Sequence, residues 1–111
     1  KLFVNKNVLP LFDLKVVKSV QSVGGNNQFV DWFEALDYMK TEIDKQEYDI
    51  CLLGCGAYGM PLAAHIKNSG KQAVHLGGTL QLLFGIWGKR WNNPQYGKSQ
   101  LKREGADGCY W

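Results

Sequence analysis

The stretch YDICLLGCGAYGMPLAAHIKNSGKQAVHLGG, residues 48–78, decides the fold. Its opening, YDICLL, is a short apolar run without alternation, the pattern of a strand buried on both faces. GCGAYG, at 54–59, then spells G-x-G-x-x-G. MPLAAHIKNS reads as a helix: Pro61 suits its first turn, where a missing N–H costs nothing, and Gly70 suits its stop. KQAVHLGG reads as a second buried strand, ending in Gly77-Gly78. Strand, glycine turn, helix and strand in that order make a βαβ unit with a right-handed crossover.

Upstream, LKVVKSV, from Leu14 to Val20, is rich in β-branched residues and reads as a further strand. QSVGGNNQ follows as a loop. In FVDWFEALDYMKTEIDKQ, the residues Phe29, Trp32, Phe33, Leu36, Met39, Lys40 and Ile43 step by three and four, and all but Lys40 are apolar. That spacing predicts an amphipathic helix over about 29–46, its aromatic stripe facing a core. Asp31, Glu34 and Asp37 toward its start, and Lys40 and Lys45 toward its end, suit the helix dipole. Downstream, TLQLLFGI reads as a short helix, and WGKRWNNPQYGKSQLKREGADGCYW as mostly loop. Residues 1–13 read as an irregular lead-in around Pro10, 14–88 as the α/β core and 89–111 as a tail, all within one domain. The expected fold class is α/β: a three-layer Rossmann-like parallel sheet with helices on both faces.

In such sheets ligands sit beyond the carboxyl ends of the strands. Those ends here carry QSVGGNN, GCGAYG and HLGGT, three glycine-bearing loops expected on one edge. Glycines let the backbone approach a phosphate without a Cβ in the way, and the following helix points unpaired N–H groups at the anion. A dinucleotide site also needs an acidic residue about 20 positions on, to hold a ribose hydroxyl. Counting from Gly54 reaches Val74, His75 and Leu76, none of them acidic, which weighs against a nicotinamide-dependent oxidoreductase. No Gly-Lys-Ser/Thr follows the glycines, so the turn is not a P-loop either. A close strand-to-helix turn with no ligand explains the same glycines. His75, at its strand end, suits a phosphate or sugar hydroxyl, or a hydrogen bond to backbone. Tyr58 projects from the turn to stack on a base or sugar, or to pack on a neighbouring loop. His65, mid-helix, reads as structural or exposed.

The 111 residues suffice for one domain with a modest core. With 45% hydrophobic and 21% charged residues, the chain is too apolar for disorder and too charged for a membrane span. Its net charge of +3 admits an anionic ligand without arguing for nucleic acid. From Lys89 to Arg103 five basic residues occur and no acidic one, either a solvated tail or an anion-contacting loop. The three cysteines are odd in number and lack C-x-x-C or zinc spacing, so no metal site is expected and a reduced, cytoplasmic setting fits best. Cys51 reads as a small buried hydrophobe. Cys55 stands where a helix N-terminus would lower a thiol pKa, although no base lies near it in sequence. The chain opens on Lys1, which reads as a piece of a longer protein.

Three motifs together carry a resemblance: D-I-x-x-x-G-x-G-A-Y-G-x-P-L-A, then G-K-x-A-x-H-L-G-G, then L-L-F-G-I-x-G-K-R-W. The chain from Trp32 to Trp91 resembles the C-terminal part of a family of bacterial proteins, mostly uncharacterised, found among surface-polysaccharide biosynthesis genes. The likeness covers most of residues 1–92. More distantly, this half is similar to the C-terminal half of GT-D-type glycosyltransferases, which are Rossmann-like and bind a nucleotide sugar. In those enzymes the acidic motif that handles metal and sugar lies in the N-terminal half, and nothing here matches it. The resemblance therefore implies a nucleotide-sugar-binding lobe, with Mn or Mg supplied through an N-terminal part and the catalytic residues unknown. His75-Leu76-Gly77-Gly78 replaces the acidic, histidine-bearing strand end of those transferases.

The ligand-facing residues expected on this reading are Gly54, Gly56, Ala57, Tyr58 and Gly59 in the turn, and His75, Gly77, Gly78 and Thr79 after the second strand. Lys89 and Arg90 would neutralise the charge developing on a leaving diphosphate. The alternative is a non-catalytic Rossmann-like binding or assembly module. There the glycines serve packing, and Trp87, Trp91, Tyr96, Tyr110 and Trp111 contact a partner or a second copy.

Overall fold

Asp31 starts the first helix. Its side chain accepts a hydrogen bond from the Glu34 N–H at 2.8 Å, and Glu34 reaches back to accept from the Val30 N–H at 2.5 Å. This pair of bonds satisfies donors that a helix start leaves open, so α1 spans Trp32–Asp44 and Phe29 stays outside it. The computed structural model describes residues 5–21, 28–86, 93 and 95. In order they form α1, the strand β1 (Ile50–Leu53), a 3₁₀ turn (Gly56–Tyr58), α2 (Gly59–Asn68), β2 (Gln72–His75) and α3 (Thr79–Leu83).

β1 and β2 pair in parallel, with Ile50 opposite Gln72 and Leu53 opposite His75. Gly70, at φ +83°, turns the chain from α2 into β2. The Gly70 N–H donates to the Lys67 carbonyl at 3.0 Å and the Lys71 N–H to the Ile66 carbonyl at 3.2 Å, the double closure that glycine permits at a helix end. One hydrophobic cluster joins Ala35, Leu36, Met39 and Ile43 of α1 to Leu53, Tyr58, Leu62 and Ile66, with Cys51 and Ala73 packed against it. The helices α1 and α2 thus share the sheet face that carries Cys51, Leu53 and Ala73.

The chain divides into two units, Leu14–Gly78 and the pairing of Lys1–Asp13 with Thr79–Trp111. The first holds the βαβ core. In the second, α3 buries Leu82, and beyond its end the Ile86 N–H donates to the Gln81 carbonyl at 2.8 Å.

The α/β character is present, and the described sheet has two strands. The expected strand at Leu14–Val20 is not formed: those residues carry no strand pairing. Their apolar positions, Leu14, Val16, Val17 and Val20, break the alternation that a half-buried strand needs, and Val16 is 77% exposed. The expectation that both strands are buried on two faces also fails. Ile50, Leu52 and Val74 are exposed, because α1 and α2 cover the opposite face. The aromatic stripe of α1 is divided as well. Trp32 packs against the core, while Phe33 is 69% exposed and meets Trp32 edge-on at 5.1 Å between centroids. Among the described residues, no helix is long and apolar enough to cross a membrane.

Candidate functional site

β1 ends at Leu53, and its carbonyl is the hinge of the candidate site. That oxygen accepts two hydrogen bonds, from the Leu76 N–H at 2.9 Å and the Gly77 N–H at 3.2 Å. The loop after β2 is thereby held against the end of β1, and two of the expected glycine loops meet at one edge. Gly77 adopts φ +57°, which a side chain rarely tolerates, so its glycine serves this fold-back. Its N–H is committed to Leu53 and is not aimed outward.

The turn itself opens at Gly54, which is exposed. Gly56 has φ +57° and starts the 3₁₀ turn, closed by the Tyr58 N–H donating to the Cys55 carbonyl at 3.3 Å. Gly56 and Ala57 are both exposed, and among the described residues their N–H groups meet no acceptor. These are the open donors of a helix start.

Tyr58 does not project. It is buried, and its ring stacks on Trp32 at 5.2 Å between centroids and 8° between planes. This contact locks the glycine turn to the first residue of α1. The aromatic ring expected to meet a base or sugar is thus part of the core. Gly59 is buried too, with the His75 imidazole lying over it. A Cβ on Gly59 would come within 2.2 Å of His75 Nε2, so only glycine admits the ring at this point. His75 itself is exposed. Its ring therefore roofs the start of α2 at Gly59.

Gly78 is half-buried and closes the first unit, whereas Thr79 opens α3 in the second. Lys89 and Arg90 lie outside the described residues, as do Trp87, Trp91, Tyr96, Tyr110 and Trp111. Of the expected ligand-facing groups in the first unit, Gly54, Gly56, Ala57 and His75 are exposed. The structure turns Tyr58 inward, seats Gly59 beneath His75 and commits the Gly77 N–H internally.

Cys51 and Cys55 are free thiols, and burial pushes both up from the ordinary thiol value. Cys55 precedes the 3₁₀ turn without a lowered pKa, so it lacks the thiolate character of an activated nucleophile. His65 holds the two helices together at the other end of the unit, its Nε2 meeting both Asp44 carboxylate oxygens at 2.9 and 3.0 Å. Nearby, the Lys71 ammonium sits 4.2 Å from the Tyr48 ring centroid and donates to the Gln46 carbonyl at 3.3 Å. The pairings of Asp44 with His65, Trp32 with Tyr58 and the Leu53 carbonyl with Leu76 and Gly77 had no signal in the sequence, because each partner lies more than 20 positions away. Among the described residues, no group of three His, Cys, Asp or Glu side chains gathers to hold a metal. The chain matches no family model, no curated protein and no solved structure.

Proposed function

We propose that this chain is the nucleotide-sugar-binding lobe of a glycosyltransferase acting in bacterial surface-polysaccharide synthesis, within a three-layer Rossmann-like fold. The carrying observation is the fold-back onto the Leu53 carbonyl, which holds the loop after β2 against the end of β1, with the His75 ring over Gly59 at the start of α2. Two unbonded N–H donors at a helix start and an exposed imidazole suit a diphosphate oxygen, since the helix dipole adds to the donors. Gly54 and Gly56 leave the approach free of side chains. In this reading Lys89 and Arg90 neutralise the leaving diphosphate, and a divalent cation enters with an N-terminal part. Setting and partners follow the same reading: a cytoplasmic protein that binds a nucleotide sugar and forms a homo-oligomer.

Thermal unfolding of the chain with UDP, GDP, CMP, their sugars and NAD(H), with and without Mn²⁺, tests this. A nucleotide at 100 times its Kd stabilises the fold by about 2.7 kcal/mol, which moves the midpoint visibly. The expected result is a rise with one nucleoside diphosphate, lost in His75→Ala. That variant removes an exposed ring, so the free protein should melt within a few degrees of the original. A rise with NAD(H) alone would turn the assignment to a dehydrogenase. No rise with any nucleotide would sink the lobe assignment. It would favour the second reading, an assembly module, which the exposed Ile50, Leu52 and Val74 support.

A further inference from the structure

Residues 14–20 run past the chain leading into β1 and the middle of α1 without making strand hydrogen bonds. Two anchors fix their course. The Lys15 Nζ donates to the Glu47 carbonyl at 2.6 Å, just ahead of the first residue of β1. The Val20 N–H meets Met39 Sδ at 3.4 Å, in the middle of α1. α1 runs counter to β1: its first residue, Trp32, stacks on Tyr58 beyond the end of β1, and only five residues separate its last one from the start of β1. Passing from the level of Glu47 to that of Met39, the chain from Lys15 to Val20 therefore climbs in the direction of β1. Val17 and Val20 pack against the same cluster as Cys51. β1 pairs only with β2 among the described strands, so its other edge is open. No backbone–backbone hydrogen bond joins residues 14–20 to β1.

We propose that residues 14–20 are a detachable strand, docking in parallel on the open edge of β1 and releasing from it. Each half of the device has a cause. Docking is favoured because an open strand edge and an extended, β-branched segment each carry backbone groups that the other can satisfy. Release is favoured because docking must order the backbone, and the segment has little apolar surface to add. Leu14 and Val16 are 55% and 77% exposed, and Lys15 and Lys18 are charged. Docking would carry Gln21 to the sheet edge that holds Gly54 to Gly59. Its consequence for a ligand there rests on the proposed function; the device itself rests only on the geometry above.

Amide hydrogen exchange, followed by NMR on the whole chain without nucleotide, tests it. In an edge strand only every second N–H points at its neighbour. Alternate amides between Lys15 and Val20 should therefore exchange roughly tenfold or more slowly than those between them, yet faster than Leu53, whose amide faces β2, as expected of a local opening. Uniform exchange at the rate of an unstructured chain would overturn the docked state. Protection equal to that of Leu53, whose amide faces β2, would overturn the release. Because no nucleotide is present, neither outcome depends on the thermal panel.

Discussion

The two faces of the β1–β2 pair carry similar side chains in opposite circumstances. On one face Leu53 is 5% exposed, with Cys51 and Ala73 packed beside it against α1 and α2. On the other, Leu52 pairs with Val74 and lies next to Ile50, and these are 37%, 40% and 47% exposed. Composition does not separate them, since both are aliphatic. What separates them is a covering layer: α2 is tied to β2 by the turn at Gly70 and to β1 by the glycine turn, and α1 is tied to α2 by His65 and Asp44. A run of four apolar residues in a strand reports that apolar surface is available on both sides. It does not report which side has been covered.

The largest expected effect tests the covered face. Leu53→Ala removes a buried side chain that touches both helices through the shared cluster. It should cost about 2–5 kcal/mol, the range for such truncations in cores that relax only partly. Urea unfolding of the two proteins measures it. A loss below about 1 kcal/mol would mean that the cluster closes over the gap, and the contrast between the faces would shrink accordingly.

A smaller effect belongs to the rim of the same face, where His75 roofs Gly59. Gly59→Ala places a methyl group 2.2 Å from the present position of His75 Nε2. The ring is exposed and can rotate aside, and alanine favours the helix by up to about 1 kcal/mol over glycine. Stability should therefore change by no more than about 1 kcal/mol, while the His75 ring resonances move in the NMR spectrum. A fall of several kcal/mol would show that the imidazole cannot leave its seat. The rim would then be as rigid as the core beneath it.

These contrasts mark what was legible in the sequence. The βαβ unit was, because its signals are local: Pro61 and Gly70 bracket α2, and the glycines of the turn need no distant partner to be read. The helix α1 was legible in period and offset at its start, since Asp31 competes with Phe29 for the first position and wins by capping the Glu34 N–H. Residues 14–20 carry the β-branched composition of a strand without its alternation, and they make no strand pairing here. Within the candidate site, the positions of Gly56 and Ala57 followed from the motif. The inward turn of Tyr58 did not, because Trp32, which takes its ring, is 26 residues away and nothing local announces the pairing. The commitment of the Gly77 N–H was hidden for the same reason. Glycine spacing says where a backbone bends, not which acceptor it bends toward.

The smallest expected effect is the sharpest test of the opposite face. Leu52→Thr and Val74→Thr keep a strand-compatible or β-branched side chain and change only what it shows to water. On a face in contact with solvent, each should alter stability by no more than about 0.5 kcal/mol. Apolar side chains lined up on one side of a two-strand sheet also invite contact between molecules. The double variant should accordingly leave the urea midpoint nearly unchanged and reduce self-association in sedimentation at high concentration. A cost approaching that of Leu53→Ala would mean that Leu52 and Val74 are covered in solution. The parallel pair would then be enclosed on both sides, as parallel sheets generally are.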